Sequence, residues 1–345
     1  MRTIQILQQL INNISDNPSV LPLIPWNDVK LCLSAELEDR RFLYPDKQFS
    51  ALLQEIADSY NQILEAANAS DVSALVYYLS QIIYTLQFLP ETDYISGIYE
   101  QGNFDHACLN HYKNNTIVVL GDSHVNFFSG NELLSFLPIG KDINTCTPAG
   151  LTDIFTPLHL GPCLAYTCMN KESSFRFHEK VEYLCDNFIK PGATILCALG
   201  EIDLRVHVFQ QTLRQQKSYQ EIVDDILANY FSFLLQLKEK NYNLYVWGPI
   251  ATQSDDCPVD PNFPRNGSEE ERNKATAYFN QQLSSFCSAH NIGFLSVYEQ
   301  MVSPDYKTRT EYLSADRCHL GQSALSIAKK EWVKINHPNF RSIPL

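Results

Sequence analysis

Two short groups of residues in this sequence combine the side chain types that nucleophilic chemistry requires. Gly121-Asp122-Ser123 follows an apolar run at 116–120, and Asp316-x-x-His319 stands near the carboxyl end of the chain. An aspartate three residues before a histidine can hold one ring nitrogen while the other nitrogen faces a serine hydroxyl. These residue types predict a serine nucleophile, Ser123, with His319 as its base and Asp316 as the group that orients the base.

The segment around Ser123 is predicted to be a strand that turns sharply into a helix. Four of the five residues at 116–120 are apolar, which indicates a short buried strand, and Gly121 ends the run. Helix-like spacing resumes over 125–137. The hydroxyl would then lie beside a helix amino terminus, where free N–H groups favour developing negative charge. The alternative is that Asp122 and Ser123 only cap the helix and that Asp316 and His319 are structural.

From about residue 111, predicted strands alternate with predicted helices. The strands are at 116–120, 193–199, 243–247 and 293–297, and the main helices are at 175–189, 218–240, 268–290 and 320–334. This alternation implies a parallel sheet with helices on both faces, whose reactive groups gather at the carboxyl ends of the strands. Segment 138–170 is rich in proline and glycine and is predicted to be a loop region.

Residues 1–110 are predicted to form a helical N-terminal region in front of an α/β domain at 111–345. Helices are expected at 4–14, 49–67 and 70–86, the last capped by Ser70, whereas four prolines within 16–47 predict at most short helices there. Residues 90–105 are a predicted connector. We expect the helical region to be a cap packed on the next domain, with a protein-binding module as the alternative.

Composition excludes several classes of partner. The chain has 345 residues with 26 basic and 39 acidic side chains, a formal charge of −13, so nucleic acid and anionic membrane surfaces are poor partners. No apolar run approaches the roughly 18 residues of a membrane span. Ten scattered cysteines without a Cys-x-x-Cys pair, and the lack of a recognisable secretory signal, predict reduced thiols and a cytoplasmic protein. No cofactor or metal is expected, with zinc as a minor alternative.

Together these motifs resemble those of the SGNH/GDSL hydrolase superfamily over roughly residues 111 to 335. Gly121-Asp122-Ser123 matches the first motif of that family, with His124 where many members have leucine, and Asp316-x-x-His319 matches the last. The resemblance implies a flavodoxin-like three-layer α/β/α sandwich with a parallel sheet. It also implies ester hydrolysis through an acyl-serine, in which Ser123 attacks, His319 is the base and Asp316 orients the base.

The third family motif, Gly-x-Asn-Asp, is altered in this chain. Its asparagine helps to hold the oxyanion, but Gly200-Glu201-Ile202-Asp203 has isoleucine at that position, and isoleucine donates no hydrogen bond. Arg205 and His207 are the candidate replacements. Arg205 is favoured because its guanidinium carries a fixed fork of donors, and an ion pair to Glu201 or Asp203 is the alternative.

The second family motif contains a glycine, which we place at Gly161 in preference to Gly140 and Gly150. The residues predicted to bind the oxyanion or the substrate are therefore Gly161, Asp203 and Arg205. The Gly-Asp-Ser-His and Gly-Glu-Ile-Asp-x-Arg-x-His motifs resemble those of a bacterial branch that is often thought to act on carbohydrate O-acyl groups. The expected function is a serine esterase that removes an O-acyl, especially O-acetyl, group from a carbohydrate or similar small ester. An O-acyltransferase acting on a glycan and a catalytically impaired binding protein are the alternatives.

Overall fold

The structure is a computed structural model that describes residues 2–38, 46–89, 116–130, 147–148, 152 and 154–336. The predicted connector at 90–105 lies outside the described residues. The helices are α1 (Arg2–Asp16), α2 (Trp26–Glu38), α3 (Asp46–Asn68), α4 (Val72–Gln87), α5 (Phe177–Asn187), α6 (Val208–Gln215), α7 (Tyr219–Glu239), α8 (Glu269–Ala289), α9 (Tyr298–Met301) and α10 (Leu325–Trp332).

The strands form one sheet. They are β1 (Ile117–Gly121), β2 (Thr147–Pro148), β3 (Phe155–His159), β4 (Thr194–Ala198), β5 (Asn243–Trp247) and β6 (Gly293–Leu295). Their order is β2-β3-β1-β4-β5-β6, and all neighbours are parallel except the two-residue β2, which is antiparallel to β3. In this register Gly121, the last residue of β1, pairs with His159 on one side and Ala198 on the other.

Side chains of β1 alternate between two hydrophobic cores, which gives the molecule three layers. Val118 and Leu120 face the core formed with α5, α7 and α8, and Ile117 and Val119 face the core that contains α10 and the N-terminal helices. The fold implied by the family resemblance, a three-layer α/β/α sandwich with a parallel sheet, is therefore confirmed. No described helix combines the length and the apolar character that crossing a bilayer requires.

The N-terminal helices pack directly against the sheet layer. Phe88, just after α4, stacks on Trp332 of α10 with ring centroids 4.3 Å apart, and it also contacts Phe127. The buried ammonium of Lys329 on α10 pairs with Glu55 of α3. The helices before residue 90 therefore share one core with the sheet, whereas the division at residue 110 stays a prediction.

Most predicted elements are confirmed. The structure shows a capping box at the start of both α7 and α8. The prediction of a loop at 138–170 was wrong over β3. Pro157 argues against a strand, but it is tolerated because the described residues place only the two-residue β2 on the outer side of β3.

Three further corrections concern helices. The stretch 16–47 contains the 13-residue α2, because three of its prolines precede the start of this helix. Asp71, and not Ser70, caps α4, since the Asp71 side chain accepts a hydrogen bond from the Ala74 N–H at 3.0 Å while Ser70 has a φ of +55°. After β1 the chain forms a 3₁₀ helix at Ser123–Ser129, and the predicted continuation over 131–137 lies outside the described residues.

Candidate active site

Ser123, His319 and Asp316 are joined by two short hydrogen bonds. His319 Nε2 lies 2.7 Å from Ser123 Oγ, although the two residues are 196 positions apart in sequence. His319 Nδ1 lies 2.6 Å from Asp316 Oδ2. The structure therefore brings the three predicted residues into the geometry in which a histidine, oriented by a carboxylate, can take the proton of a serine hydroxyl.

The turn after β1 places Ser123 at the carboxyl end of the sheet. A side chain on Gly121 would bring its Cβ to 2.1 Å from the carbonyl oxygen of Ala198, so only glycine lets β1 end this close to β4. Asp122 is buried, and its Oδ1 accepts a hydrogen bond from the His124 N–H at 2.9 Å. This contact closes the first turn of the 3₁₀ helix that Ser123 begins.

The Asp316 carboxylate organises its own loop as well as the histidine. Its Oδ1 accepts hydrogen bonds from the N–H groups of Cys318 and His319 at 2.9 and 3.0 Å and from the Ser314 hydroxyl at 2.5 Å. Burial alone would raise the pKa of Asp316, but the hydrogen bonds from His319 and Ser314 hold this pKa well below its usual range. Asp316 is therefore ionised and oriented before any substrate binds.

Gly161 lies two residues beyond the end of β3, which is the strand next to β1. Leu160 donates its N–H to the Gly121 carbonyl at 2.9 Å, which holds this segment against the end of β1. Gly161 has a φ of +115°, and an added Cβ would lie 2.6 Å from the Phe175 ring, so glycine is required here. Within the described part of the chain, no group accepts a hydrogen bond from the N–H of Gly161 or of Ser123. Both N–H groups are therefore candidate donors to an oxyanion.

Asp203 holds the loop after β3. Its two carboxylate oxygens accept hydrogen bonds from the N–H groups of Ala165 and Tyr166, at 2.8 and 3.1 Å. Complete burial raises the pKa of Asp203 to about 7, against the lowering effect of these two bonds. Asp203 is therefore a positioning residue for the loop that also carries Gly161.

Arg205 forms an ion pair with Glu201, which was the alternative to a role for Arg205 at the oxyanion. Its Nε and Nη2 donate to the two oxygens of the Glu201 carboxylate at 2.6 and 3.1 Å, and its Nη1 lies 3.4 Å from the Phe263 carbonyl. The pair is buried, and burial alone would raise the pKa of Glu201. The charges of Arg205 and His124 instead lower this pKa well below its usual range. The described contacts give Arg205 no role at the oxyanion.

His124 is a site residue whose role the sequence analysis missed. Its ring lies against the His319 ring with centroids 4.5 Å apart, and its Nε2 is 3.1 Å from Glu201 Oε2. Burial alone would lower the pKa of His124, but the negative charges of Glu201 and Asp122 raise it well above its usual value. Arg205, Glu201 and His124 thus form a line of alternating charge that ends against the face of the His319 ring. The available signal was the presence of His124 directly after Ser123.

His124, Glu201 and Cys318 bring three potential metal ligand atoms within 4.8 Å of one another. The Glu201 carboxylate already accepts two hydrogen bonds from Arg205. A metal ion bound here would have to compete with the adjacent guanidinium for this carboxylate. Because this carboxylate is already paired with Arg205, we assign no metal to the cluster.

Replacing Arg205 with alanine is expected to cost about 3–5 kcal/mol of unfolding free energy, because it leaves the buried Glu201 carboxylate without its main partner. Urea unfolding followed by circular dichroism measures this loss. Arg214→Ala, at an exposed arginine of α6, is the matched control and should change stability by less than about 0.5 kcal/mol. Unchanged stability together with a lower kcat would instead support the oxyanion role considered above.

The comparisons with known proteins give similarity at the level of fold. No protein-family model matches the sequence, and no curated protein matches it. Among solved structures, the chain is similar to a candidate platelet activating factor from Streptococcus pneumonia at 15% identity and a TM-score of 0.41. That match covers 69% of this chain and 92% of the other.

Two further solved structures are similar to the same portion of the chain. A GDSL-like lipase from Bacteroides thetaiotaomicron is 14% identical with a TM-score of 0.38, and the match covers 68% of this chain and 93% of the other. An acetyl xylan esterase is 12% identical with a TM-score of 0.36, and the match covers 64% of this chain and 99% of the other. All three matches are similarities of fold.

Proposed function

We propose that this protein is a serine ester hydrolase of the SGNH/GDSL type. The observation that carries the proposal is the hydrogen-bonded line from Asp316 through His319 to Ser123, with distances of 2.6 and 2.7 Å. Since the three side chains come from two distant segments, their alignment at the carboxyl end of β1 favours a catalytic role over helix capping.

The geometry supports a two-step reaction. His319 Nε2 takes the proton of Ser123 as the serine oxygen attacks the ester carbonyl, and the N–H groups of Ser123 and Gly161 stabilise the resulting oxyanion. His319 then gives this proton to the departing alcohol, which leaves an acyl group on Ser123. Water, deprotonated by His319, attacks the acyl-serine and releases the acid, which regenerates the serine hydroxyl.

The missing third oxyanion donor predicts a modest rate. Ile202 is buried and offers no donor, and the Arg205 side chain is held by Glu201. Removing one donor from an oxyanion hole costs about 10²–10³ in kcat. We therefore expect this chain to turn over activated esters more slowly than enzymes with the complete set of donors.

We propose that the acyl group is small, acetyl in particular, and that the alcohol is a carbohydrate or similar hydroxyl compound. The cavity beside the triad, lined in part by His124, Trp247 and Leu320, has a volume of about 10 Å³. This is space for about one water molecule, and none of the three triad residues lines it, so the preference for acetyl rests on the motif resemblance. The carbohydrate part rests on the resemblance of the Gly-Asp-Ser-His and Gly-Glu-Ile-Asp motifs.

The N-terminal helices are proposed to be a structural cap. Their apolar side chains belong to the same core as one face of the sheet, and the Lys329–Glu55 ion pair ties them to α10. This packing supports the cap over the alternative of a separate protein-binding module.

A fluorophosphonate probe tests the proposed enzyme directly, because it phosphonylates a serine that a neighbouring base activates. We expect one adduct by intact mass, located at Ser123 by peptide mapping, and faster hydrolysis of p-nitrophenyl acetate than of the octanoate. Absence of both label and acetate hydrolysis would contradict an ester hydrolase. A preference for octanoate would contradict only the small acyl group.

A further inference from the structure

A cleft away from the triad is large enough to hold a small molecule. It has a volume of about 370 Å³ and lies between α6, α7 and the loop that follows β3. Ligand pockets typically measure about 300–1,000 Å³, whereas the cavity beside the triad measures about 10 Å³. The cleft runs from the exposed side chains of Gln215 and Asp225 inward to Asp203, which is completely buried.

A widened helical turn, Asp203–His207, separates this cleft from the catalytic residues. The Val208 N–H bonds to the Asp203 carbonyl, five residues earlier, which is the pattern of a π-helical turn and is frequent at functional sites. Asp203 and His207 line the cleft, whereas Glu201 and Arg205 pair with each other, and Glu201 also approaches His124. One short segment thus forms a wall of the cleft and supports the catalytic histidine.

The lining of the cleft offers hydrogen bonds without a fixed positive charge. No lysine or arginine is among the described side chains that line it, and the amides of Gln211 and Asn229 supply both donors and acceptors. Burial lowers the pKa of His207, with the charges of Arg205 and Arg214 acting in the same direction, so this ring is neutral at neutral pH. Lys217 lies 2.5 Å from the lining residue Asp225 and is already paired with it, so an anionic ligand would find no unpaired cation among the described residues of this cleft.

The remaining walls are apolar or aromatic. Leu164, Ile222 and Ile226 provide apolar surface, and Tyr166, which is 52% exposed, offers a ring face at the edge of the cleft. The Asp203 carboxylate fixes the Tyr166 backbone, so this edge is built before a ligand arrives. Amides, a carboxyl group and a ring face together suit a compact molecule that carries several hydroxyl groups.

We propose that this cleft is a binding site for a neutral polyhydroxylated molecule about the size of one sugar unit. The inference goes beyond the proposed ester hydrolysis and does not depend on it, because it concerns binding at side chains outside the triad. Uncharged sugars should bind, and a sugar acid of the same shape should bind more weakly because its carboxylate would lose water without gaining an unpaired cation.

The test uses the full-length Ser123→Ala protein, which keeps the cleft but lacks the proposed nucleophile. D-glucose, D-xylose and N-acetyl-D-glucosamine are titrated as neutral probes and D-glucuronate as the charged probe, followed by saturation-transfer NMR and calorimetry. We expect at least one neutral sugar to bind with a Kd about tenfold or more below that of glucuronate. Binding of none of the neutral sugars, or binding of glucuronate as tight as that of the best neutral sugar, would overturn the proposal.

A cleft-filling variant locates the binding. Gln211→Trp places a large side chain from α6 into the cleft and is expected to weaken sugar binding about tenfold or more. Gln281→Trp makes the same change at an exposed position of α8 and serves as the matched control. Equal affinities of the two variants would overturn the assignment to this cleft. Failure of the proposed esterase would show instead as unchanged ester turnover in Ser123→Ala, which this binding experiment does not measure.

Discussion

Ser123→Ala is expected to lower the hydrolysis of p-nitrophenyl acetate by on the order of 10⁴–10⁶-fold, to the level of residual catalysis by the oxyanion donors. The substitution removes the only side-chain oxygen within hydrogen-bond distance of His319 Nε2 among the described residues. Steady-state rates with purified wild-type and variant protein measure the loss. The change removes one half-exposed hydroxyl, so we expect the thermal midpoint to stay close to that of the wild type.

The matched control for this experiment is Ser285→Ala. Ser285 is exposed on α8, and its hydroxyl bonds only to the Gln281 carbonyl of the same helix. Its loss should leave the rate within about twofold of wild type. If Ser123→Ala kept more than about a tenth of the wild-type rate, the nucleophile would have to be a different group.

Asp316→Asn is expected to lower kcat by about 10⁴-fold while the loop keeps its shape. The three donors that converge on Oδ1, from Ser314, Cys318 and His319, will retain the single amide oxygen of asparagine. The amide NH₂ must then face His319 Nδ1. This nitrogen becomes an acceptor, so Nε2 carries the hydrogen and can no longer receive the proton of Ser123.

A pair of measurements separates this effect from a loss of structure. The thermal midpoint of Asp316→Asn should stay near that of wild type, and the rate loss should be in kcat with KM little changed. Asp305→Asn, at an exposed aspartate that bonds to Ser303, is the control and should retain full activity. A kcat for Asp316→Asn within about tenfold of wild type would remove the orienting role of this carboxylate.

The triad could be predicted from sequence because each half of it is a local pattern. Gly121 to Ser123 follow an apolar strand, and Asp316 and His319 are three residues apart, so no knowledge of distant contacts was needed to find them. Strands β1, β4 and β5 could be predicted because they are almost entirely buried, which requires an apolar run.

Strand β3, the charged line from Arg205 to His124 and the cleft could not be predicted from sequence, because each depends on contacts between distant segments. Strand β3 carries Pro157 and polar residues and is recognisable only once β1 is beside it. The charged line from Arg205 to His124 joins two segments about 80 residues apart, and each of its residues also has an ordinary structural interpretation. The cleft between α6 and α7 likewise has no local signature, since its shape comes from how the two helices dock.

The shared core of the N-terminal helices and the sheet has a consequence for dissecting this protein. A fragment that starts at residue 111 would expose the faces of Phe127, Phe155 and Trp332 that Phe88 now shields. Such an exposed apolar surface leads to aggregation. We therefore expect a fragment without the helical region to aggregate, so gene truncation is a poor way to ask what this region does. Surface substitutions on the outer sides of α1 to α3 can address that question while the sheet stays covered.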